Sequence, residues 1–217
     1  MPLTIHYVSV FNEEDTLIPQ SDLIDSEYVQ TKCPVHNHKQ SRTFVATSPI
    51  DFNFNINRTP DQNFISCSRP ELLEYDDEHI NSPKPVIQLV FPKFLFFTEE
   101  DNIWFEFYDH PMTALKNNFI CMSGWFNLSN WSRMSSTAIT LVNEKKSVII
   151  EKGDPLFRVS FYPPNLDEGI VLKKENNREV VRQWVDAHSK ISEKDWRPRL
   201  FSKTETESKC PFSFLFK

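Results

Sequence analysis

The stretch CMSGWFNLSNWSRMSSTAITLVNEKKSVIIEKGDPLFRVSFY, residues 121–162, decides the fold class. It contains three runs rich in β-branched and aromatic residues, which favour the half-buried surface of a pleated sheet. Polar residues at 143–146 and a Gly-Asp-Pro step within 151–155 separate the runs and predict turns. The stretch therefore predicts consecutive β-strands at 137–142, 147–150 and 156–162.

The second of these turns is tight. Gly153 permits a positive φ, and Pro155 sets the φ of the outgoing strand. We interpret Gly153, Asp154 and Pro155 as a structural turn rather than as part of a reactive site.

Two segments on the N-terminal side alternate between apolar and polar residues. In residues 51–58, Phe52, Phe54 and Ile56 alternate with asparagines. In residues 102–108, Ile103, Phe105 and Phe107 alternate with Trp104, Glu106 and Tyr108. Such alternation is typical of half-buried antiparallel strands. With strands at 3–11, 43–47, 86–91 and 93–97, it predicts about nine or ten short strands in a Greek-key or jelly-roll-like sandwich or barrel.

Prolines set the expected interruptions. Residues 59–85 contain four prolines and are expected to be irregular, and Pro92 is expected to split the apolar run 86–97 into two strands.

One helix is expected, at about residues 176–191. Asn176 and Glu179 form a capping-box variant, followed by an apolar stripe that includes Val181 and Trp184. The chain is therefore divided into a β-rich domain, residues 1–170, and a helical and aromatic C-terminal appendage packed on it, residues 171–217.

Composition excludes several classes of protein. The chain has 217 residues, 3 Gly, 15 Pro, 4 Cys and a net charge of −6. Three glycines are too few for a Gly-rich phosphate loop, and the negative charge makes nucleic-acid binding unexpected. The sequence contains no Cys-x-x-Cys pair, so a zinc ribbon is not expected. No secretory leader or membrane-length apolar run is recognised, so we expect a protein of the cytoplasm, or of the host cytoplasm or virion if a phage encodes it.

The central region resembles a known family. Pro92-Lys93-Phe94-Leu95-Phe96-Phe97, His110-Pro111, Gly124-Trp125-Phe126, Trp131 and residues 150–157 are similar to a β-rich domain family of unknown function found in bacteria and tailed phages. The resemblance covers residues 45–165, and it implies the fold and a bacterial or phage origin without implying an activity.

The Lys152-Gly153-Asp154 turn also resembles that of dUTPases and dCTP deaminases, in which it closes a Greek-key sheet. The catalytic Asp and the Tyr-Arg-Gly step of those enzymes have no counterpart around residues 124–131. The resemblance therefore implies a related sheet and no nucleotide hydrolysis.

His36 and His38 are the best metal candidates. On a strand, both side chains would face the same side, with His79, His110 or an acidic residue of Glu71–Glu78 as a further ligand. We expect no cofactor, and we keep an Fe(II)-dependent, cupin-like or iron oxygenase-like enzyme as the alternative. The simpler interpretation of the pair is a polar surface loop.

Aromatic residues near strand ends are the candidates for ligand binding. Trp104, Trp125, Trp131 and Arg133, with Tyr108 and Tyr162 nearby, could form a platform for a sugar or a peptide. The alternative is that these rings belong to a Phe-rich core.

The aromatic C-terminus suggests association. Phe212, Phe214 and Phe216 would share one face of a strand, which could dock on this chain or add to a partner. With no complete catalytic set in the sequence, we expect a non-enzymatic binding or assembly protein. Its partner would be another protein or a second copy, with no membrane contact.

Overall fold

The predicted β class is confirmed. The computed structural model of the chain describes residues 2–9, 17–19, 38–59, 63–128 and 134–188, and fourteen strands and few helices lie in this part. The strands are β1 Leu3–Ser9, β2 Leu17–Pro19, β3 Thr43–Thr47, β4 Phe52–Arg58, β5 Asn63–Cys67, β6 Leu73–Glu74, β7 Val86–Phe97, β8 Trp104–Asp109, β9 Phe119–Cys121, β10 Gly124–Asn127, β11 Ser135–Leu141, β12 Val148–Ile150, β13 Pro155–Tyr162 and β14 Ile170–Lys174.

The strands form three sheets. A six-stranded sheet has the order β14-β1-β7-β11-β9, with β6 added to β7. A five-stranded sheet has the order β10-β8-β13-β3-β2, and a three-stranded sheet has the order β12-β4-β5. Only the β1–β14 pair is parallel among the described strands. The antiparallel pairing and the packed sheets correspond to the sandwich or barrel class that the alternation predicted.

Phenylalanines fill the space between the sheets. Phe96 of β7 packs against Phe105 of β8 and Phe161 of β13, with ring centroids 5.5 and 5.2 Å apart. Phe52 of β4 contacts Phe91 of β7 at 5.0 Å and joins the three-stranded sheet to the same core. Large buried rings thus connect all three sheets.

The strand β7 is longer than predicted. Pro92 does not split it: the pairing with β11 shifts register between Leu89 and Phe94, and the strand continues through residue 97. The expectation of two strands is wrong. Proline is accommodated in a strand where its missing N–H leaves no unpaired position in the ladder.

The interval 59–85 also departs from the prediction of irregular structure. It contains β5, a 3-10 turn at Pro70–Leu72, β6 and a short helix, α1, at Asp77–Asn81. Pro70 stands in the first turn of the 3-10 segment, where a missing N–H costs nothing. Pro70 thus begins a short element, and Pro83 and Pro85 lie between α1 and β7.

The predicted C-terminal helix, α2, spans Arg178–His188 within the described residues. The expected cap at Asn176 is wrong, because the Glu179 amide donates to Oδ1 of Asn177 at 3.0 Å. Trp184 is buried against Phe97 of β7, with ring centroids 5.2 Å apart. The helix thus covers the side of β7 that faces away from the main core. None of the described helices has the length and apolar character needed to cross a membrane.

The division of the chain at residue 170 stays a prediction. The strand β14 begins at Ile170 and pairs with β1 from Leu3 to Tyr7, so residues on both sides of that position belong to the six-stranded sheet.

Candidate ligand-binding face

The outer face of the five-stranded sheet carries aromatic and charged side chains. In β8, Phe105 and Phe107 are buried in the core, so the alternation of a strand turns Trp104, Glu106 and Tyr108 outward. This face is therefore not a second apolar core.

Trp125 and Tyr162 reach across β8 from its two neighbouring strands. Their rings stack with centroids 4.7 Å apart and planes at 25°. The hydroxyl of Tyr162 donates to Oε2 of Glu106 at 2.8 Å. Trp104 lies directly opposite Tyr162 in the ladder, and Glu106 lies opposite Trp125. We call Trp104, Trp125, Tyr162 and Glu106 the aromatic platform.

Both tryptophans of the platform are open to solvent. Trp125 is 56% exposed and Trp104 is 40% exposed. The indole N–H of Trp104 donates to Oδ1 of Asn102 at 3.2 Å. These two rings thus lie on the surface and do not belong to the Phe-rich core.

The tyrosine of the platform is held as a hydrogen-bond donor. Burial, and then the hydrogen bond to Glu106, raise the pKa of Tyr162 well above its ordinary value. The hydroxyl therefore stays protonated at neutral pH and orients the carboxylate of Glu106 at the edge of the platform.

Positive charges gather at the other end of the same face. Nζ of Lys39 lies 4.8 Å from the centroid of the Tyr108 ring, and Cζ of Arg158 lies 4.4 Å from it. Nε of Arg158 donates to the backbone carbonyl of Asp109 at 2.7 Å. Stacking on an aromatic ring and one hydrogen bond fix the guanidinium. We call Lys39, Tyr108 and Arg158 the basic end.

Hydroxyl groups tie the basic end to β3. Oγ of Ser160 lies 2.8 Å from the hydroxyl of Tyr108 and 2.7 Å from Oγ1 of Thr43. Oγ1 of Thr43 also donates to the carbonyl of Lys39 at 2.9 Å. This series of hydrogen bonds holds Lys39 beside the sheet, although Lys39 precedes β3 in the sequence.

Arg42 follows Lys39 closely and is 6% exposed. Nε donates to the carbonyl of His38 at 3.3 Å, and Nη2 lies 3.4 Å from Nδ1 of His38. Nη1 has no hydrogen-bond partner among the described residues. A buried guanidinium with an unused donor is costly to keep without an acceptor.

His110 lies beside the basic end. Burial, with the positive charge of Arg158, lowers the pKa of His110 to about 4 against the attraction of Asp109. The imidazole is therefore neutral at pH 7, and the positive charge of the basic end comes from Lys39 and Arg158.

The predicted structural turn at Gly153, Asp154 and Pro155 is not part of this face. Its aspartate lies in a cluster of polar side chains. Asp154 is 8% exposed and accepts hydrogen bonds from Nζ of Lys116 at 2.7 Å, Nδ2 of Asn117 at 2.8 Å and the Glu151 amide at 3.0 Å. Lys116 and Asn117 belong to a π-helical turn at Thr113–Asn117. Asp154 thus joins that turn to the start of β13.

The turn depends on its glycine, because Gly153 has a φ of +89°. Nothing lies within 4 Å of a Cβ built at this position, so a substitution would cause backbone strain rather than a clash. We expect Gly153→Val to lower the free energy of unfolding by about 2–3 kcal/mol, measured by urea denaturation. Gly153→Asn should cost less, since asparagine tolerates positive φ.

Gly169→Ala is the matched control for this prediction. A Cβ at Gly169 would meet only Pro2 at 4.0 Å, and its φ is not in the positive region. A change within about 0.5 kcal/mol is expected there. Equal effects at the two glycines would contradict the role of the φ of Gly153.

The histidines proposed as metal ligands are placed as follows. His36 lies outside the described residues. His38 lies in a helical turn of which residues 38–40 are described, so the strand geometry expected for it is wrong. Nδ1 of His79 in α1 lies 3.0 Å from Oδ1 of Asp76, and His110 lies near Arg158. Among the described residues, no group of three or more His, Cys, Asp or Glu could hold a metal ion.

Other candidates lie in parts of the chain that the structure does not describe. These are Trp131 and Arg133 of the ligand-binding candidates and Phe212, Phe214 and Phe216 of the docking candidates. Their roles stay predictions.

Sequence reasoning missed three residues of this face: Lys39, Glu106 and Arg158. The alternation that identified β8 also turns Glu106 to the side of Trp104, and the alternation in β13 turns Arg158 to the side of Tyr162. Both signals were present in the sequence. Lys39 gave no such signal, because a turn outside the sheet brings it there.

Comparisons with known proteins add little. No family model matches the chain, and no curated protein matches its sequence. Among solved structures, the native EIAV dUTPase is similar with a TM-score of 0.39 and 8% sequence identity, over 74% of this chain and 91% of that chain. This is a weak and distant similarity to the dUTPase fold, and it indicates neither a shared site nor a shared activity.

Proposed function

We propose that this protein is a non-catalytic binding module and that its ligand is a carbohydrate stacked on the aromatic platform. The observation that carries the proposal is the exposure of two tryptophans, Trp104 and Trp125, on one face of one sheet beside a fixed carboxylate. Grouped exposed aromatic rings next to placed polar groups are typical of binding sites.

The chemistry of a sugar ring fits this surface. One side of a pyranose presents C–H groups, and its rim presents hydroxyls. The indole faces offer flat apolar area, and Glu106 offers a carboxylate that accepts hydrogen bonds from hydroxyls. A peptide would need acceptors and donors for its backbone, which the platform side chains supply less well than they supply partners for hydroxyls.

The platform is organised before a ligand arrives. Trp125 is held by its stacking on Tyr162, and Glu106 is held by the tyrosine hydroxyl at 2.8 Å. Side chains that are already ordered lose little conformational entropy on binding. The ligand therefore gains affinity without first ordering the surface.

The test uses the purified protein on an immobilised panel of oligosaccharides, followed by fluorescence titration with any that bind. We expect Trp125→Ala and Trp104→Ala each to weaken binding tenfold or more, and the double variant to abolish it. Phe64→Ala is the control, because Phe64 is 40% exposed on β5, away from the platform.

Three results would overturn the proposal. The first is that the intact protein binds no oligosaccharide of the panel. The second is that the double variant binds as well as the intact protein. The third is that a peptide library, and no sugar, binds in a manner that depends on Trp125.

Three other expectations that were drawn from the sequence remain proposals. They are the docking of Phe212, Phe214 and Phe216 on this chain or on a protein partner, the bacterial or phage origin, and the Fe(II) enzyme with His36 and His38. The origin and the docking would be compatible with a carbohydrate-binding module.

A further inference from the structure

Lys39, Arg42 and Arg158 form no ion pair with the described residues. Lys39 and Arg158 lie at one end of the five-stranded sheet, over the ring of Tyr108, and Arg42 lies on the turn that precedes β3. Cations brought together in this way repel one another unless an anion is present. From this arrangement we infer that the basic end is an anion subsite and that the carbohydrate is acidic, with a carboxylate or sulfate bound by Lys39 and Arg158. The inference rests on the proposed function.

Arg158 has the geometry for the contact. Its Nε is used by the carbonyl of Asp109, and its guanidinium is stacked on Tyr108 at 4.4 Å. The two terminal nitrogens form no hydrogen bond with the described residues. A fixed, planar guanidinium whose terminal nitrogens have no partner in the described part of the chain suits bidentate binding of a carboxylate or sulfate.

Lys39 and Arg42 supply further positive charge. Lys39 is exposed, and its ammonium group also lies over the Tyr108 ring, at 4.8 Å. Arg42 is anchored on the same turn through the carbonyl of His38, and its Nη1 has no partner among the described residues. A buried guanidinium without a carboxylate partner raises the local potential and favours an anion nearby.

The subsite is continuous with the platform. Tyr108 lies two residues beyond Glu106 on β8, a step of about 7 Å along the strand. Arg158 is directly opposite Tyr108, and Ser160 is directly opposite Glu106. A ligand extended along β8 can therefore stack on the platform with one sugar and place an acidic group of another at the basic end.

The charge pattern favours a glycan over a nucleic acid. Glu106 lies on β8 between Trp104 of the platform and Tyr108 of the basic end, and the chain carries a net charge of −6. A backbone with a phosphate at every step would place negative charge against Glu106. An acidic sugar can instead offer hydroxyls to Glu106 and its anionic group to Arg158.

The experiment compares matched neutral and acidic oligosaccharides by isothermal titration calorimetry. Galacto-oligosaccharides serve as the neutral probe, oligogalacturonate as the carboxylate probe and a heparin-derived oligosaccharide as the sulfate probe. We expect the intact protein to bind one acidic probe at least tenfold more tightly than the neutral one, with a preference that declines as salt increases. Lys39→Gln/Arg158→Gln should lose the preference and bind the neutral probe within about threefold of the intact protein.

The control is Lys84→Gln/Lys145→Gln, which removes two exposed lysines and changes the net charge by the same amount. It should keep the preference. If the double variant fails to fold, Lys39→Gln alone replaces it in the test, because Lys39 is exposed. This single variant should reduce the preference for the acidic probe. Equal affinity for neutral and acidic probes would overturn the inference and leave the proposed function standing. Tighter binding of a single-stranded oligonucleotide would overturn both.

A second readout tests the subsite without the platform. Glucuronate or inorganic sulfate should shift the side-chain Nε–H resonance of Arg158 in ¹H–¹⁵N spectra, in the intact protein and in Trp125→Ala alike. An unchanged resonance would overturn the subsite. A shift in a protein that binds no oligosaccharide would support the subsite and overturn the proposed function.

Discussion

Replacing Phe96 by alanine is expected to lower the free energy of unfolding by about 3–5 kcal/mol. Phe96 is 1% exposed, and its ring contacts those of Phe94, Phe105, Phe107 and Phe161 at centroid distances of 5.6, 5.5, 6.4 and 5.2 Å. Three of these rings belong to the opposite sheet, so the variant would leave a cavity between two sheets that cannot easily collapse. Urea denaturation followed by circular dichroism measures the effect.

Two variants make the Phe96 result interpretable. Phe96→Leu retains most of the apolar volume and should cost less than the alanine variant. Phe64→Ala removes an exposed ring and should change the free energy of unfolding by about 0.5 kcal/mol or less. A loss at Phe96→Ala below about 1 kcal/mol would mean that the sheets close around the gap.

Asp154→Ala is expected to cost about 2–4 kcal/mol. The substitution removes the acceptor for the side chains of Lys116 and Asn117 and for the Glu151 amide. Asn117 is fully buried, and its Nδ2 would keep only the carbonyl of Ile149, at 2.7 Å. The variant would therefore leave a buried polar side chain partly unpaired and separate the π-helical turn from β13.

The contribution of Asp154 should depend on pH. Burial acts to raise the pKa of Asp154, but hydrogen bonds from Lys116, the Glu151 amide and Asn117 outweigh it, so the pKa lies below its ordinary value. A lowered pKa in the folded state stabilises the protein above the pKa of the unfolded chain. That stabilisation is lost as the pH falls through the pKa of the folded state. The difference between the intact protein and Asp154→Ala should therefore shrink in acid.

Glu151→Gln is the control for Asp154, because Glu151 pairs with the same Lys116 at 2.7 Å while its side chain is 66% exposed. An exposed pair contributes little, so a loss below about 1 kcal/mol is expected. Equal losses in the two variants, or a difference between the intact protein and Asp154→Ala that is constant with pH, would contradict the proposed role of Asp154.

Local sequence patterns determined the class of the fold. The alternation in β4 and β8 assigns one face of each strand to the core, because successive side chains of a strand point to opposite sides. The Gly-Asp-Pro step determined the turn at residues 153–155, where φ is positive at Gly153. The helical stripe with Trp184 determined α2. Each of these signals is contained within a dozen residues, so a single sequence is enough to reveal it.

Tertiary structure decided which residues share a surface. Tyr162 reaches Glu106 across 56 positions of sequence, and Tyr108 reaches Ser160 across 52. Strand order and register place these pairs together, and neither can be derived from local alternation. The same is true of Pro92, which stays within β7 where the pairing with β11 shifts register between Leu89 and Phe94 and then resumes. Long-range pairing therefore decided where the aromatic platform and the basic end meet, while local chemistry decided only that their side chains would face outward.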